Sequence, residues 1–119
     1  MEFRENEAIY LQIAAYVSDH ILSGKWTAEQ KIPSVRDLAV EMEVNPNTVM
    51  RSYELLQHQE VIYNKRGLGF FVSPGADKKV KADKKERFLA YELPEFFKTI
   101  SQLGISLADI EERYKKFNF

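Results

Sequence analysis

The chain has 119 residues, 45% of them hydrophobic and 29% charged, with a formal net charge of −1 and no cysteine. That length suits one compact domain with a modest appendage, the composition is that of a folded globular protein, and the missing thiols exclude disulfide frameworks, thiolate zinc sites and cysteine nucleophiles. The acidic start Met1-Glu2-Phe3-Arg4-Glu5-Asn6-Glu7 is unlike a secretory signal, and no apolar run approaches the roughly 20 residues that span a bilayer, so a cytoplasmic protein with no membrane partner is expected.

Ile9, Ile13, Tyr16, Val17 and Ile21 recur at three- and four-residue steps, which predicts a first helix from about Glu7 to Ser23, closed by Gly24. Trp26 and Ile32 bracket a polar loop that ends at Pro33. Ser34-Val35-Arg36-Asp37 reads as a capping box opening a short second helix, with Val35, Leu38, Ala39 and Met42 on its buried stripe. Asn45 then caps a third helix, with Pro46 at its first position and Val49, Tyr53 and Leu56 on its inner face. Two helices joined by so tight a turn are the helix-turn-helix signature.

After His58 the period becomes strand-like. Val61-Ile62-Tyr63 and Phe70-Phe71-Val72 flank Asn64-Lys65-Arg66-Gly67-Leu68-Gly69, which predicts a hairpin with a basic, glycine-containing tip: a wing. The expected fold class is therefore mostly α with a small β-hairpin, a winged helix-turn-helix head over residues 1–73 and an α-helical tail over 74–119. The tail reads as a charged helix over Ala76–Glu92, a second helix that Pro94 starts or kinks and Gly104 ends, and a third opened by Ser106-Leu107-Ala108-Asp109.

Total charge does not advertise a nucleic-acid binder. Between Ser34 and Arg66 the cations are Arg36, Arg51, Lys65 and Arg66, so any basic face has to be made by the fold. The motifs carry the functional reading instead. Ile9-Tyr10-Leu11-Gln12-Ile13, Pro33-Ser34-Val35-Arg36-Asp37-Leu38-Ala39, Val44-Asn45-Pro46-Asn47-Thr48-Val49, and Tyr53 and Leu56 before the Gly67-Leu68-Gly69-Phe70-Phe71-Val72 wing come in one order and spacing. From about Ala8 to Val72 the chain resembles the GntR family of bacterial transcription regulators. Its short helical tail is similar to that of the YtrA-like subfamily, where the tail serves dimerisation. The resemblance implies a dimeric repressor on a palindromic double-stranded operator, with a small-molecule effector possible and unidentified. Glu29 and Glu60 stand where the family commonly has glycine. If those backbones keep a positive φ, each costs about 1 kcal/mol.

The DNA-binding set expected from these features is Ser34, Arg36, Asn45, Asn47, Thr48, Arg51, Lys65, Arg66 and Gly67. Arg36 reaches phosphate or a guanine edge, as the family's matching Arg does; the alternative is a solvated helix arginine. Asn45, Asn47 and Thr48 lie at the N-terminus of the recognition helix, where residues enter the major groove first, although Asn45 also serves as a cap. Arg51 shares their face for a phosphate contact, against a surface ion pair. Lys65 and Arg66 flank the wing tip, and Gly67 serves its turn. Tyr10, Trp26 and Tyr53 are expected in the core, and the run Lys78, Lys79, Lys81, Lys84, Lys85 and Arg87 reads as a solvated helix face.

Phe88, Tyr91, Phe96, Phe97, Ile100, Leu103, Leu107, Ile110, Tyr114 and Phe117 are more apolar groups than so small a tail buries alone, so a homodimer is expected through them; the alternative is a tail folded back on its head. Catalysis, cofactors and metals are not expected. The two histidines, His20 and His58, lie on different helices without a nucleophile beside them, and no phosphate-cradling glycine loop precedes a helix. Two other classes remain: a winged helix used for protein contacts, and a ligand-sensing activator.

Overall fold

The computed structural model describes residues 1–119. In chain order the elements are α1 (Ile9–Leu22), α2 (Val35–Met42), α3 (Pro46–His58), β1 (Ile62–Lys65), β2 (Gly69–Val72), α4 (Ala76–Arg87), a π-helical turn (Phe88–Glu92), α5 (Leu93–Gln102) and α6 (Leu107–Lys116). They fall into two compact units, Met1–Ala82 and Asp83–Phe119. The division lies further along than the composition break at Ser73-Pro74-Gly75, because Ala76 and Val80 of α4 are buried in the first unit's core.

That core is assembled from one stripe of each element. Ile13, Val17 and Ile21 come from α1, Leu38, Ala39 and Met42 from α2, and Val49, Tyr53 and Leu56 from α3. Ile32, Val61, Ile62 and Val72 close it from the sheet side. Burial of such side chains stabilises by about 1.5–3 kcal/mol each, which is what holds three short helices together. Gln12, although polar, is also buried. Its side chain accepts from Arg4 N–H and donates to the carbonyls of Arg4 and Glu7 (2.8, 2.8 and 2.9 Å), so it ties the N-terminal segment to α1.

The hairpin is antiparallel, with Ile62 opposite Val72 and Lys65 opposite Gly69. A segment read as loop from the sequence joins it: Glu29 N–H donates to Val72 O (2.8 Å), Val72 N–H to Gln30 O (2.9 Å) and Ile32 N–H to Phe70 O (3.0 Å). The wing is thus backed by a third extended segment. Ile32 precedes a proline, which disfavours helical backbone there and leaves it extended for this pairing.

In the second unit Ser106 Oγ accepts from Asp109 N–H (3.1 Å), the expected cap of α6, and the Asp109 carboxylate accepts from Arg113 Nε (3.1 Å). Pro94 lies in the first turn of α5, which follows the π-helical turn directly. A proline cannot donate to the carbonyl four residues back and its ring crowds it, and a widened turn accommodates both problems. No residue between Asp83 and Phe119 is buried.

Candidate nucleic-acid interface

Two helix starts and one hairpin tip build the site. At α2 the Ser34 hydroxyl accepts from Asp37 N–H (3.1 Å), and Arg36 projects exposed from the first turn. The helix closes with Glu43 in left-handed backbone (φ 56°, ψ 47°) and Val44 N–H returning to Ala39 O (3.0 Å). That 6→1 closure reverses the chain within Glu43-Val44-Asn45 and lets Val44 pack on the core. Asn45 Oδ1 then accepts from Asn47 N–H (2.8 Å), so its oxygen is committed to the cap of α3. In the first turn of α3 the amides are already used, since Pro46 has no N–H and Asn47 and Thr48 N–H donate to the Oδ1 and carbonyl of Asn45 (2.8 and 2.9 Å). What both helix starts offer an anion is therefore the positive end of the dipole.

On α3 the outer stripe is Asn47, Met50, Arg51 and Glu54, all exposed at helical spacing, opposite the buried Val49, Ser52, Tyr53 and Leu56. Thr48, expected on the outer stripe, is half-buried instead, at the edge between the two faces. Tyr53 donates from its hydroxyl to Pro33 O (2.6 Å), fastening the recognition helix to the residue before the cap of α2. Burial, then the Glu41 carboxylate, pushes its phenol well above the usual range, so it stays a neutral donor.

Tyr10 is not a core ring. It is half-buried, and the Arg51 guanidinium lies over it at 3.7 Å from the ring centroid. Trp26 is also only half-buried, in an aromatic group with Tyr16 and His20.

In the wing, strand β1 runs on through Lys65, and Arg66-Gly67-Leu68 make the turn, closed by Leu68 N–H to Lys65 O (2.9 Å). Lys65 Nζ rests over Phe71 at 4.7 Å from its centroid, with Tyr63 stacked beside that ring. Tyr63 in turn donates to Glu29 Oε2 (2.6 Å), which raises the phenol's pKa. Gly67 has φ 79° with open space where a Cβ would stand, so the turn, not crowding, asks for glycine. Gly69 has φ 113°, and a Cβ there would come within 3.1 Å of Lys31 Cε.

Lys31 is the cation that sequence reasoning missed. It is exposed and bridged to Phe71, and its side chain lies across Gly69, so the wing carries Lys31, Lys65 and Arg66 together. The available signal was Lys31-Ile32-Pro33, a polar–apolar pair forced extended by the proline.

Most cations outside this face are ion-paired, Lys25, Lys78, Lys81 and Lys85 excepted. Lys79, Arg87, Lys98, Arg113, Lys115 and Lys116 each sit on a carboxylate at 2.9–3.4 Å. Arg36, Arg51, Lys31, Lys65 and Arg66 are in no ion pair. Lys79 bonds Glu60 just past the C-terminal end of α3, a helix length of about 20 Å from Asn45, so the start of the α4 basic run stands away from the recognition helix's leading end.

A capped second helix, a tight left-handed turn, a capped third helix with a free polar stripe, and a hairpin with unpaired cations define a winged helix-turn-helix, a DNA-reading class. Known proteins give the same answer. The model of the bacterial regulatory proteins of the gntR family matches residues 9–72, and the chain belongs to this GntR family.

The chain is similar to the HTH-type transcriptional repressor YtrA of Bacillus subtilis (strain 168), 30% identical over 97% of this chain and 88% of that protein. It is 55% identical to a chain from Bacteroides thetaiotaomicron whose crystal structure is described as that of a GntR-family transcriptional regulator, with TM-score 0.78 over 92% of this chain and 96% of that one. The structure of the AraR DNA-binding domain in complex with operator ORR3 is 31% identical, with TM-score 0.53 over 54% of this chain and 77% of that one. The protein is a GntR-family helix-turn-helix DNA-binding transcriptional regulator and not an enzyme. No helix is long and apolar enough to cross a membrane.

Proposed function

We propose that this regulator is a cytoplasmic repressor that binds a palindromic operator as a homodimer and acts by occluding polymerase. The observation that carries the DNA-reading surface is the set of unpaired cations around the starts of α2 and α3 and on the wing. In this reading Arg36 and Arg51 take phosphates, Asn47 and Thr48 meet base edges in the major groove, and Ser34 and Asn45 hold the helix starts that present them. Lys65 and Arg66, with Gly67 making the turn and Lys31 beside them, follow the backbone or the adjacent minor groove.

Dimerisation rests on the second unit. Phe88, Tyr91, Phe96, Phe97, Leu103, Leu107 and Tyr114 are 39–72% exposed, and Ile100 and Ile110 are half-buried. A unit that buries none of its own residues is completed by a second copy, and a two-fold pair of heads matches a two-fold site. Repression is supported by the similarity to YtrA over nearly the whole chain.

The test is retention of fragmented genomic DNA by the purified protein across a salt series, beside an Arg36→Ala/Arg51→Ala variant. A few palindromic fragments, weakened by salt and absent with the variant, are expected. Absence of enrichment, or equal binding by the variant, overturns the reading.

A further inference from the structure

The outer stripe of the recognition helix presents one cation, Arg51, and a long side chain on an exposed helix ordinarily samples many rotamers. Here it does not stand free. Its guanidinium lies 3.7 Å from the centroid of the Tyr10 ring, a distance at which the cation sits on the ring face. Tyr10 belongs to the first turn of α1, a different helix, so the contact crosses the interface between α1 and α3.

The backbone beneath the ring is fixed as well. Ser52, the residue after Arg51, is fully buried, and its hydroxyl lies 2.7 Å from the Tyr10 carbonyl and 3.1 Å from the carbonyl of Thr48. One residue of α1 is therefore gripped by two successive residues of α3: Ser52 takes its carbonyl and Arg51 covers its ring. No carboxylate competes for the guanidinium.

A guanidinium with one face on an aromatic ring keeps its N–H donors in the ring-parallel plane, pointing outward at its edges. That is the geometry a phosphate oxygen approaches. A carboxylate partner would instead occupy those edges and would have to be displaced before DNA could bind. The ring holds the cation while leaving its donors free.

We infer that Tyr10 is a positioning residue for DNA binding: it holds the Arg51 guanidinium edge-out so that its donors meet a phosphate without first being ordered or released. The inference rests on the proposed role of Arg51 and adds a residue of α1, outside the helix-turn-helix and the wing, to the DNA-binding apparatus.

The test is a double-mutant cycle on the genomic duplex the wild-type protein retains most strongly, read as affinity against salt. Arg51→Ala is expected to weaken binding and to lower the salt slope by about 0.9 for each phosphate that Arg51 neutralises. Tyr10→Leu, which keeps an apolar group but no ring face, is expected to cost about tenfold, whereas Tyr10→Phe stays within about twofold of wild type. In the Arg51→Ala background Tyr10→Leu is expected to cost nothing further.

An equal loss from Tyr10→Leu with and without Arg51, or an equal loss in Tyr10→Phe, overturns the inference while leaving the DNA-binding role of Arg51 intact. If Arg51→Ala itself binds as wild type, the proposed phosphate contact falls and the inference with it. Should Tyr10→Leu fail to fold, mono-, di- and trifluorinated phenylalanine at position 10 change ring charge at nearly constant size. Affinity falling stepwise with fluorination, and only when Arg51 is present, supports the inference; a flat series overturns it.

Discussion

Three glutamates carry left-handed backbone, Glu29 (φ 70°), Glu43 (φ 56°) and Glu60 (φ 61°), and replacing each with glycine predicts a ranked gain in stability. For a residue with a Cβ the left-handed region costs about 1–2 kcal/mol, and glycine returns about 0.5–1 kcal/mol of that through its greater freedom in the unfolded chain. Glu43 also places a carboxylate at the negative end of α2, unfavourable by about 0.3–1 kcal/mol. Glu43→Gly is therefore expected to gain roughly 1 kcal/mol. Glu60→Gly starts from the same backbone term and gives up the Lys79 pair at 3.3 Å, an exposed contact worth about 0–1 kcal/mol. Glu29→Gly gives up the Tyr63 hydrogen bond, worth about 0.5–1.5 kcal/mol, and is expected to be near neutral.

The assay is urea and thermal unfolding of the full chain at one fixed protein concentration, since association shifts apparent stability. One kcal/mol corresponds to about 4–8 °C in Tm for a domain this small. Glu43→Ala is the control: it removes the charge and keeps a Cβ in left-handed backbone, so it is expected to recover only the dipole part. Equal stability of Glu43→Gly and Glu43→Ala, or a larger gain from Glu29→Gly than from Glu43→Gly, refutes the backbone account.

Tyr53→Phe leaves the Pro33 carbonyl without its 2.6 Å partner in a partly buried setting, and urea denaturation is expected to show a loss of about 1 kcal/mol. Ser34→Ala removes the cap of α2, with an expected loss of about 1 kcal/mol on the same measurement; unchanged stability would mean the cap is not holding the helix. Gly69→Ala meets both a positive φ and the Lys31 side chain, so DNA retention is expected to fall at least severalfold by fluorescence anisotropy, while Gly67→Ala, with open space at its Cβ, is expected to cost less. Phe97→Glu together with Tyr114→Glu is expected to turn the proposed dimer into a monomer in sedimentation velocity; a monomeric wild-type protein would sink the proposed tail pairing.

The helices are legible because each is written twice, once in its apolar period and once in its caps. Ser34, Asn45-Pro46 and Ser106 start helices where the sequence places them, and Ile13-Val17-Ile21 and Val49-Tyr53-Leu56 point inward. What stays illegible depends on contacts far apart in the chain. Residues 29–32 look like loop because only pairing with β2 makes them extended. Tyr10 reads as core because nothing local says that Arg51 will cover it. Glu43 hides its left-handed backbone because a glutamate does not announce what a glycine would. Glu29 and Glu60, the two positions at which the resemblance led us to expect glycine, both have a positive φ.

The near-neutral net charge ceases to conflict with DNA binding once the cations are sorted by what they touch. Attraction to DNA depends on the local field and not on the total, so a cation neutralised by a nearby carboxylate adds little and an unpaired one adds fully. Outside the proposed reading face many of the cations are cancelled in pairs one helical turn apart, such as Arg113 with Asp109 and Lys116 with Glu112. On that face Arg51 and Lys65 rest on rings and Lys31 lies along backbone, supports that hold a side chain without neutralising it. An aromatic ring is the support that serves this purpose best: it restricts the cation, leaves its donors open, and carries no net charge for the phosphate to repel. A few cations so placed, beside two helix starts whose dipoles already favour anions, make a positive surface on a chain with no surplus of positive charge.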